Sequence, residues 1–290
     1  MTIMRLVLAL VLAVVSASTV AERPTVDSQT GASRVALATV SDPRNKTIVD
    51  VSADDFVILE AGASREILSV RPADYPIVLV LDTGSDSRVD FPMIRKAALR
   101  FIDRIGQRPI AIVTMGGTPR LVAGFDDERA DLTAKVGALD VAAGAPSATL
   151  EGIGLAAQTV RGTGSLFSAI VVLSSASLDG SRSSPDDLIA TIVDSAAILH
   201  VVANRAAQAP AGGGFRPMAA IRALAEQSRG GFTAIYSAAS FQAALERLAD
   251  RIAAELLIEY IVPVGSKPID VKVGVRIAGA RVHGLGVAPK

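Results

Sequence analysis

Two kinds of hydrophobic pattern divide the chain. Between residues 34 and 72, short apolar runs at 35–40, 55–60 and 65–70 are separated by clusters of turn residues, which predicts a small antiparallel β unit. From residue 73 to 256, continuous apolar runs alternate with segments whose apolar residues recur every three or four positions. Strands that are apolar on both faces and alternate with helices predict a doubly wound α/β domain, in which helices cover both faces of a mostly parallel sheet.

The elements of this middle region can be placed from the same pattern. Predicted strands lie at 77–81, 110–113, 121–123 (a hairpin partner of the strand before it), 169–173, 198–203 and 232–236. Predicted helices lie at 88–106, 127–139, from Thr149 onward, and at 185–197, 217–229 and 241–257. After residue 257 the hydrophobic pattern again predicts strands, at 258–262 and 270–275. Neither flank alone holds enough strands to bury a face, so the two flanks are expected to pair as one β unit.

The N-terminus has the pattern of an export signal. Arg5 precedes an unbroken apolar run at 6–15, and small residues follow it. Ten residues span only about 15 Å of helix, which is about half of a bilayer core, so the run is too short for a membrane span. Cleavage is expected after Ala21, with Ala17 as a second position, and the alternative is an uncleaved N-terminal anchor. The mature protein is therefore expected in the periplasm or secreted, without a membrane span.

The domain organisation follows from these patterns. We expect a signal peptide at 1–21, an N-terminal β unit at 22–72 and an α/β domain at 73–256. C-terminal strands at 257–290 are expected to pair with the N-terminal unit.

Composition narrows the classes of function. The chain has 29 Lys plus Arg and 29 Asp plus Glu, and it has no basic block, which argues against a nucleic-acid partner. The absence of cysteine excludes disulfides, thiolate metal sites, cysteine nucleophiles and a lipoprotein anchor. With only His200 and His283 in the chain, a histidine-rich zinc site is excluded as well.

Polar residues follow the predicted parallel strands, where open α/β sheets bind their ligands. Four segments stand at these positions, at 82–87, 115–117, 174–177 and 204–205. Together they bring two carboxylates and several hydroxyls to one edge of the predicted sheet, the rim. No histidine or lysine base is among them. Such an oxygen-rich rim suits a hard cation or a polar ligand.

An apolar strand, then Asp-Thr-Gly-Ser-Asp-Ser at 82–87, then an amphipathic helix resembles the opening of a von Willebrand factor type A (VWFA) domain. The flanking segments at 55–62 and 259–263 are similar to an exported bacterial subfamily labelled VWFA-related and known chiefly from Acidobacteria. The resemblance covers about residues 34 to 285, and the order of the elements carries it more than any single motif.

In this family a metal-ion-dependent adhesion site takes Asp-x-Ser-x-Ser from the first loop, a Thr from a second loop and an Asp from a third. Asp82 matches the first Asp, while Gly84 and Asp86 stand where the two serines belong. A shift of one residue would instead offer Ser85 and Ser87 as the serine pair.

The other two loops match less completely. Thr149 matches the Thr, and Ser175 stands where the third-loop Asp belongs, so that Asp86 or Asp179 would have to replace its charge. The resemblance therefore implies a degenerate site of Asp82, Ser85, Asp86, Thr149 and Ser175. Such a site would bind Mg²⁺ or Mn²⁺ weakly or would be free of metal.

The function that the resemblance implies is that of an exported, non-enzymatic binding or adhesion module. It would recognise a protein or a cell-surface ligand at the rim. One alternative is an α/β enzyme that acts on a polar small molecule with Asp82 or Asp86 as general base, although no nucleophile–base pair can be assembled. Another is a structural envelope protein without a specific ligand. As a rim residue, Asp82 is expected to contribute little to the stability of the core.

Overall fold

The computed structural model describes residues 31–44, 46–175, 179–204 and 217–289. The predicted signal peptide lies outside these residues, and so does the segment before residue 31. The strands are β1 (Ala32–Ser41), β2 (Phe56–Glu60), β3 (Ala63–Arg65), β4 (Ile67–Pro72), β5 (Ile77–Leu81), β6 (Ile110–Thr114), β7 (Arg120–Ala123), β8 (Ser168–Ser174), β9 (Ala197–Asn204), β10 (Gly231–Ile235), β11 (Leu256–Val262), β12 (Lys272–Val275) and β13 (Arg281–Pro289). The helices are α1 (Phe91–Arg104), α2 (Arg129–Gly137), α3 (Thr149–Arg161), α4 (Pro185–Asp194), α5 (Pro217–Gln227) and α6 (Ser240–Ala253).

The central sheet has six strands in the order β10-β9-β8-β5-β6-β7. All neighbours are parallel except β7, which pairs antiparallel with β6 as the hairpin pattern predicts. Every residue of β5, β6, β8 and β9 is buried, because helices cover both faces of the sheet. The α/β fold class predicted from the sequence is confirmed.

Alternate residues of the central strands contribute to two separate cores. Leu79 and Leu81 of β5 pack on one side with apolar residues of α1 and α6, such as Phe101 and Leu245. Val80 packs on the other side with the buried faces of α3, α4 and α5. Because successive side chains of a strand point to opposite faces, a continuous apolar run is what a strand covered on both sides requires.

The strands of the two flanks form a four-stranded antiparallel sheet in the order β13-β1-β11-β4. β1 lies between two C-terminal strands, with Ala36 opposite both Ile258 and Val287. A three-stranded sheet, β12-β2-β3, packs against it over a third core that contains Phe56 and Tyr260. The N- and C-terminal flanks are therefore joined by strand pairing, as predicted with the fold class, and their strands form two sheets.

Two expectations at element ends differ from the structure. The helix predicted to reach residue 257 ends at Ala253, because Leu256 and Leu257 begin β11 and pair with β1 and β4. Apolar residues at these positions fit the helical period as well as a strand, and pairing with neighbouring strands decides between them. β13 was not predicted, because Gly284 and Gly286 interrupt its apolar pattern.

Candidate functional site

Three loops meet at the carboxyl ends of the central strands. Asp82 follows β5 directly, Ser174 ends β8, the segment before α3 carries Ser147, and Thr149 is the first residue of α3. β5 and β8 are adjacent and parallel, so the residues that follow them lie at the same edge of the sheet. This edge, with the loops that follow its strands, is called the rim below.

Asp82 is the central residue of the rim, and it is fully buried. Its Oδ1 atom accepts hydrogen bonds from the Gly84 N–H (3.1 Å) and from the Ser147 hydroxyl. Its Oδ2 atom accepts from the Ser175 N–H at 3.0 Å and from the Ser174 hydroxyl at 3.4 Å. A carboxylate offers about four lone-pair positions, and here four donors of the chain point to them.

Ser147 stands against Gly84, in the loop before α3. A Cβ atom added at Gly84 would lie 2.7 Å from the Ser147 backbone nitrogen and closer still to the Ser147 hydroxyl. The backbone of Ser147 forms β-bridges with Gly116 and Asp179, and its carbonyl accepts from the Gly180 N–H at 2.7 Å. Glycine at position 84 is therefore the residue that lets these two loops approach.

The remaining residues predicted for the site have different environments. Ser85 is partly exposed and its N–H donates to the Ala145 carbonyl at 2.7 Å, whereas Asp86 is exposed to solvent. Thr149 and Ser175 are buried, and neither side-chain hydroxyl has a hydrogen-bond partner among the described residues. Asp82 and Ser175 are thus in direct contact through the Ser175 N–H, and Asp86 lies on the outer surface.

Asp179 holds the start of α3. Its Oδ1 atom accepts from the Thr149 N–H at 3.1 Å and from the Ser181 hydroxyl at 2.7 Å, and that hydroxyl accepts in turn from the Leu150 N–H at 2.9 Å. The first N–H groups of a helix have no partner inside the helix, and a carboxylate there is favoured by the helix dipole. The sequence placed Asp179 among the possible metal ligands, and the structure shows it as a cap supplied by another loop.

Glu151 fastens the same loop from the helix side. The N–H groups of Arg182 and Ser183 donate to its Oε1 atom at 2.6 and 2.8 Å. Burial acts to raise the pKa of Glu151, but these hydrogen bonds stabilise the carboxylate and leave its pKa below the usual value. Residues 179–183 are therefore attached to the first turn of α3 by two carboxylates, Asp179 from the loop and Glu151 from the helix.

The resemblance found in the sequence implies a divalent cation, and hard cations take oxygen ligands, so the oxygens of the rim decide whether one fits. Both oxygens of Asp82 are occupied by donors, and Asp86 is exposed. Near the rim, the buried oxygens without a hydrogen bond include Thr149 Oγ1, Ser175 Oγ, Asp179 Oδ2 and Glu151 Oε2. The two carboxylates among them already hold backbone N–H groups through their other oxygens. Within the described ranges no three acidic or histidine side chains are grouped to hold a metal. With the Asp82 oxygens already taken by donors of the chain, these residues do not offer the open near-octahedral oxygen shell that Mg²⁺ requires.

A second set of buried ionisable groups lies at the opposite end of β5. Tyr75 precedes the strand, and its hydroxyl donates to Glu255, which follows α6. The Arg108 guanidinium stacks over the Tyr75 ring, 4.7 Å from its centroid, and donates to the Ile252 carbonyl at 2.8 Å. Burial raises the pKa of Glu255 to about 7.

His200 is buried in the middle of β9. Its Nδ1 atom is 3.0 Å from a guanidinium nitrogen of Arg251, and its Nε2 atom has no partner in the described part of the chain. Burial, together with the Arg251 charge, lowers the pKa of His200 to about 3, so the ring is neutral at physiological pH. These contacts are those of a histidine held in the core, as its position in an apolar strand predicts.

Exposed apolar side chains stand beside the polar rim. Val89, just before α1, is 87% exposed, and Tyr236, just after β10, is 73% exposed. At the same edge, the Asn204 side chain at the end of β9 donates to Asp90 at 2.8 Å and links that strand to the start of α1. Val89 and Tyr236 both follow strands of the central sheet at its carboxyl edge, where open α/β sheets bind their ligands.

Comparisons with known proteins bear on the fold. No family model matches the sequence, and no curated protein matches it. Among solved structures, proximal thread matrix protein 1 from the mussel byssus, with a zinc-occupied metal-ion-dependent adhesion site, aligns with a TM-score of 0.52 at 15% identity, covering 66% of this chain and 48% of that one. A von Willebrand factor type A protein from Catenulispora acidiphila aligns with a TM-score of 0.50 at 14% identity, covering 90% of this chain and 74% of that one.

The chain has the von Willebrand factor type A fold, which confirms the resemblance at the level of the domain. It spans about half the length of the mussel protein that it matches. The narrower bacterial subfamily suggested by the flanking segments stays a prediction.

Sequence reasoning did not connect two neighbours of Asp82 with its carboxylate. Ser147 and Ser174 both donate to its carboxylate, from loops 65 and 92 residues away along the chain. Ser174 was recognisable as a strand-end residue of the rim. Ser147 carried no local signal, because its position against Gly84 depends on how the loop before α3 is held.

Proposed function

We propose that this protein is an exported, non-enzymatic binding module of the von Willebrand factor type A class, which recognises a protein or a cell-surface ligand at the rim. The observation that carries the proposal is that two strongly exposed side chains, Val89 after β5 and Tyr236 after β10, stand at the same edge of the sheet as the hydrogen-bonded polar rim. Tyrosine is enriched among the residues that dominate binding energy at protein interfaces, because it buries a large ring and keeps a polar tip.

An enzymatic role is supported less well. A general base has to reach the proton that it removes, and both oxygens of Asp82 are buried and occupied by donors of the chain. Asp86 is exposed to solvent and does not lie in a buried pocket where a substrate would be enclosed. His200 is buried in the middle of β9, and Glu255 lies at the end of β5 opposite the rim. Neither residue is at the rim.

The binding proposal is tested with partners recovered by crosslinking from the native envelope and then purified. Replacing Tyr236 by alanine is expected to weaken binding of such a partner at least tenfold, and Val89→Ser is expected to weaken it several-fold. The matched control is Val264→Ser. Val264 is 72% exposed, but it lies on the connection between β11 and β12 of the flank sheets. Equal affinities for the Val89→Ser and Val264→Ser proteins would contradict recognition at the rim.

Export is proposed from the signal pattern. No helix in the described residues has the length and apolar character needed to cross a membrane. We expect the protein purified from the periplasm or the medium to begin near Glu22, because small residues precede that position. Intact-mass measurement tests this, and a protein that retains Met1 in the soluble cytoplasmic fraction would contradict export.

A further inference from the structure

Position 84 is where the adhesion-site pattern has a serine and this chain has a glycine. The space that a side chain would take there is filled by Ser147, whose backbone nitrogen would be 2.7 Å from an added Cβ atom. The Ser147 hydroxyl donates to Asp82 from this position. The first loop therefore has no hydroxyl at position 84, and the loop before α3 supplies one to the Asp82 carboxylate.

Ser147 is held firmly enough to keep its hydroxyl there. Its backbone is paired with Gly116 on one side and with Asp179 on the other. The next residue is fastened too, because the Ala148 N–H donates to the Met115 carbonyl at 2.7 Å. A hydroxyl on a backbone fixed in this way is preorganised toward Asp82.

We infer that Ser147 holds the Asp82 carboxylate in place of a metal ion, so that the rim is closed by hydrogen bonds and works without a divalent cation. A buried carboxylate needs compensation for its charge, and hydrogen bonds to its oxygens supply that compensation. Here Ser147 acts with the Gly84 and Ser175 N–H groups. A cation at Asp82 would have to displace these donors, and among the described residues no group of three acidic or histidine side chains is present to hold it.

The inference deepens the proposed function and rests on it in one respect. If the rim binds a partner, the partner contacts the protein directly and not through a cation shared with its own carboxylate. Binding should then be unaffected by a chelator.

The first experiment uses the wild-type mature protein after treatment with EDTA. Its melting temperature is measured with Mg²⁺, Mn²⁺ or Zn²⁺ added up to millimolar concentration, and calorimetric titration accompanies it. We expect no saturable heat and no rise in melting temperature, since a ligand that binds only the folded state would raise it. A saturable rise that disappears in the Asp82→Ala protein would overturn the inference.

The second experiment exchanges the two positions. Gly84→Ser is expected to lower the melting temperature because its side chain meets Ser147, and Ser147→Gly is expected to lower it because Asp82 loses a donor. In the Gly84→Ser/Ser147→Gly protein the new hydroxyl gains room, so the loss should be smaller than the sum of the two single losses. Strictly additive losses would contradict the spatial exchange.

Ser85→Ala is the matched control, because Ser85 lies on the same loop and is only partly buried. It should leave the melting temperature within about one degree. If Gly84→Ser does not fold, the inference is tested by comparing Ser147→Ala with Ser85→Ala. Equal melting temperatures of these two proteins would overturn the role of Ser147. Neither experiment involves the partner, so a metal response would refute the inference and leave binding at the rim intact, and a failure to bind would do the reverse.

Discussion

Replacing Asp82 by alanine is expected to lower the free energy of unfolding by about 3–5 kcal/mol, because several buried donors lose their acceptor at once. Asp82 is fully buried, and the Gly84 and Ser175 N–H groups and the Ser147 hydroxyl all donate to it. Each buried donor left without a partner costs about 1–3 kcal/mol. The sequence alone suggested that Asp82 contributes little to the core, and its burial changes that expectation.

The matched control is Asp86→Ala, four residues further along the same loop. Asp86 is exposed, so its removal should change the free energy of unfolding by no more than about 0.5 kcal/mol. Urea denaturation of the three proteins in buffer with EDTA measures both differences. Similar midpoints for Asp82→Ala and the wild type would show that the carboxylate is not a structural acceptor.

Replacing Glu255 by glutamine is expected to stabilise the protein above pH 7 and to have little effect near pH 4.5. Burial raises the pKa of Glu255 from 4.5 to about 7, so the folded state holds a proton that the unfolded state has already lost. Stability from this group is complete below about pH 4.5 and is lost as the pH rises to about 7. The free energy of unfolding falls by about 3 kcal/mol over this pH range. Glutamine does not ionise, so the variant avoids this fall and still offers an acceptor to the Tyr75 hydroxyl.

His200 has the opposite dependence and must be separated from Glu255. Its pKa is lowered from 6.5 to about 3, so the unfolded state gains a proton as the pH falls below about 6.5 while the folded state does not. The wild-type stability between about pH 4.5 and 6.5 is therefore the sum of two opposing slopes. In Glu255→Gln only the histidine slope remains, and stability should rise steadily with pH through this window.

Chemical denaturation of the wild type and Glu255→Gln from pH 4.5 to pH 8.5 measures the difference between them. Glu66→Gln serves as the control, since Glu66 is exposed and lies between β3 and β4, outside the central sheet. A difference between Glu255→Gln and the wild type that is the same at all these pH values would mean that Glu255 does not titrate between the two states as its burial requires.

The rim owes its arrangement to the sheet as much as to its own residues. Asp82 is at the rim because β5 ends at Leu81, and Ser175 is beside it because β8 runs parallel in the adjacent position. The same strands form the core, so the residues that hold the polar rim also stabilise the fold. This is why a change at Asp82 is expected to act on stability and not on binding alone.

The sequence by itself determined the fold class and most of the elements. Continuous apolar runs at β5, β6, β8 and β9 indicate strands buried on both faces, and an amphipathic period such as that of α1 indicates a helix packed on one face. These signals are local, because the pattern of side chains follows the geometry of a single strand or helix. The order of the elements then carried the resemblance to the von Willebrand factor type A fold.

Only the tertiary structure decided which side chains meet at Asp82. Ser147 and Ser174 reach its carboxylate across 65 and 92 residues of chain, and Asp179 caps α3 from another loop. The ends of β11 and the whole of β13 were likewise decided by pairing with β1. Such contacts depend on loops held by different strands, and no periodic pattern records them, because a hydrogen bond between distant loops leaves the local spacing of apolar residues unchanged.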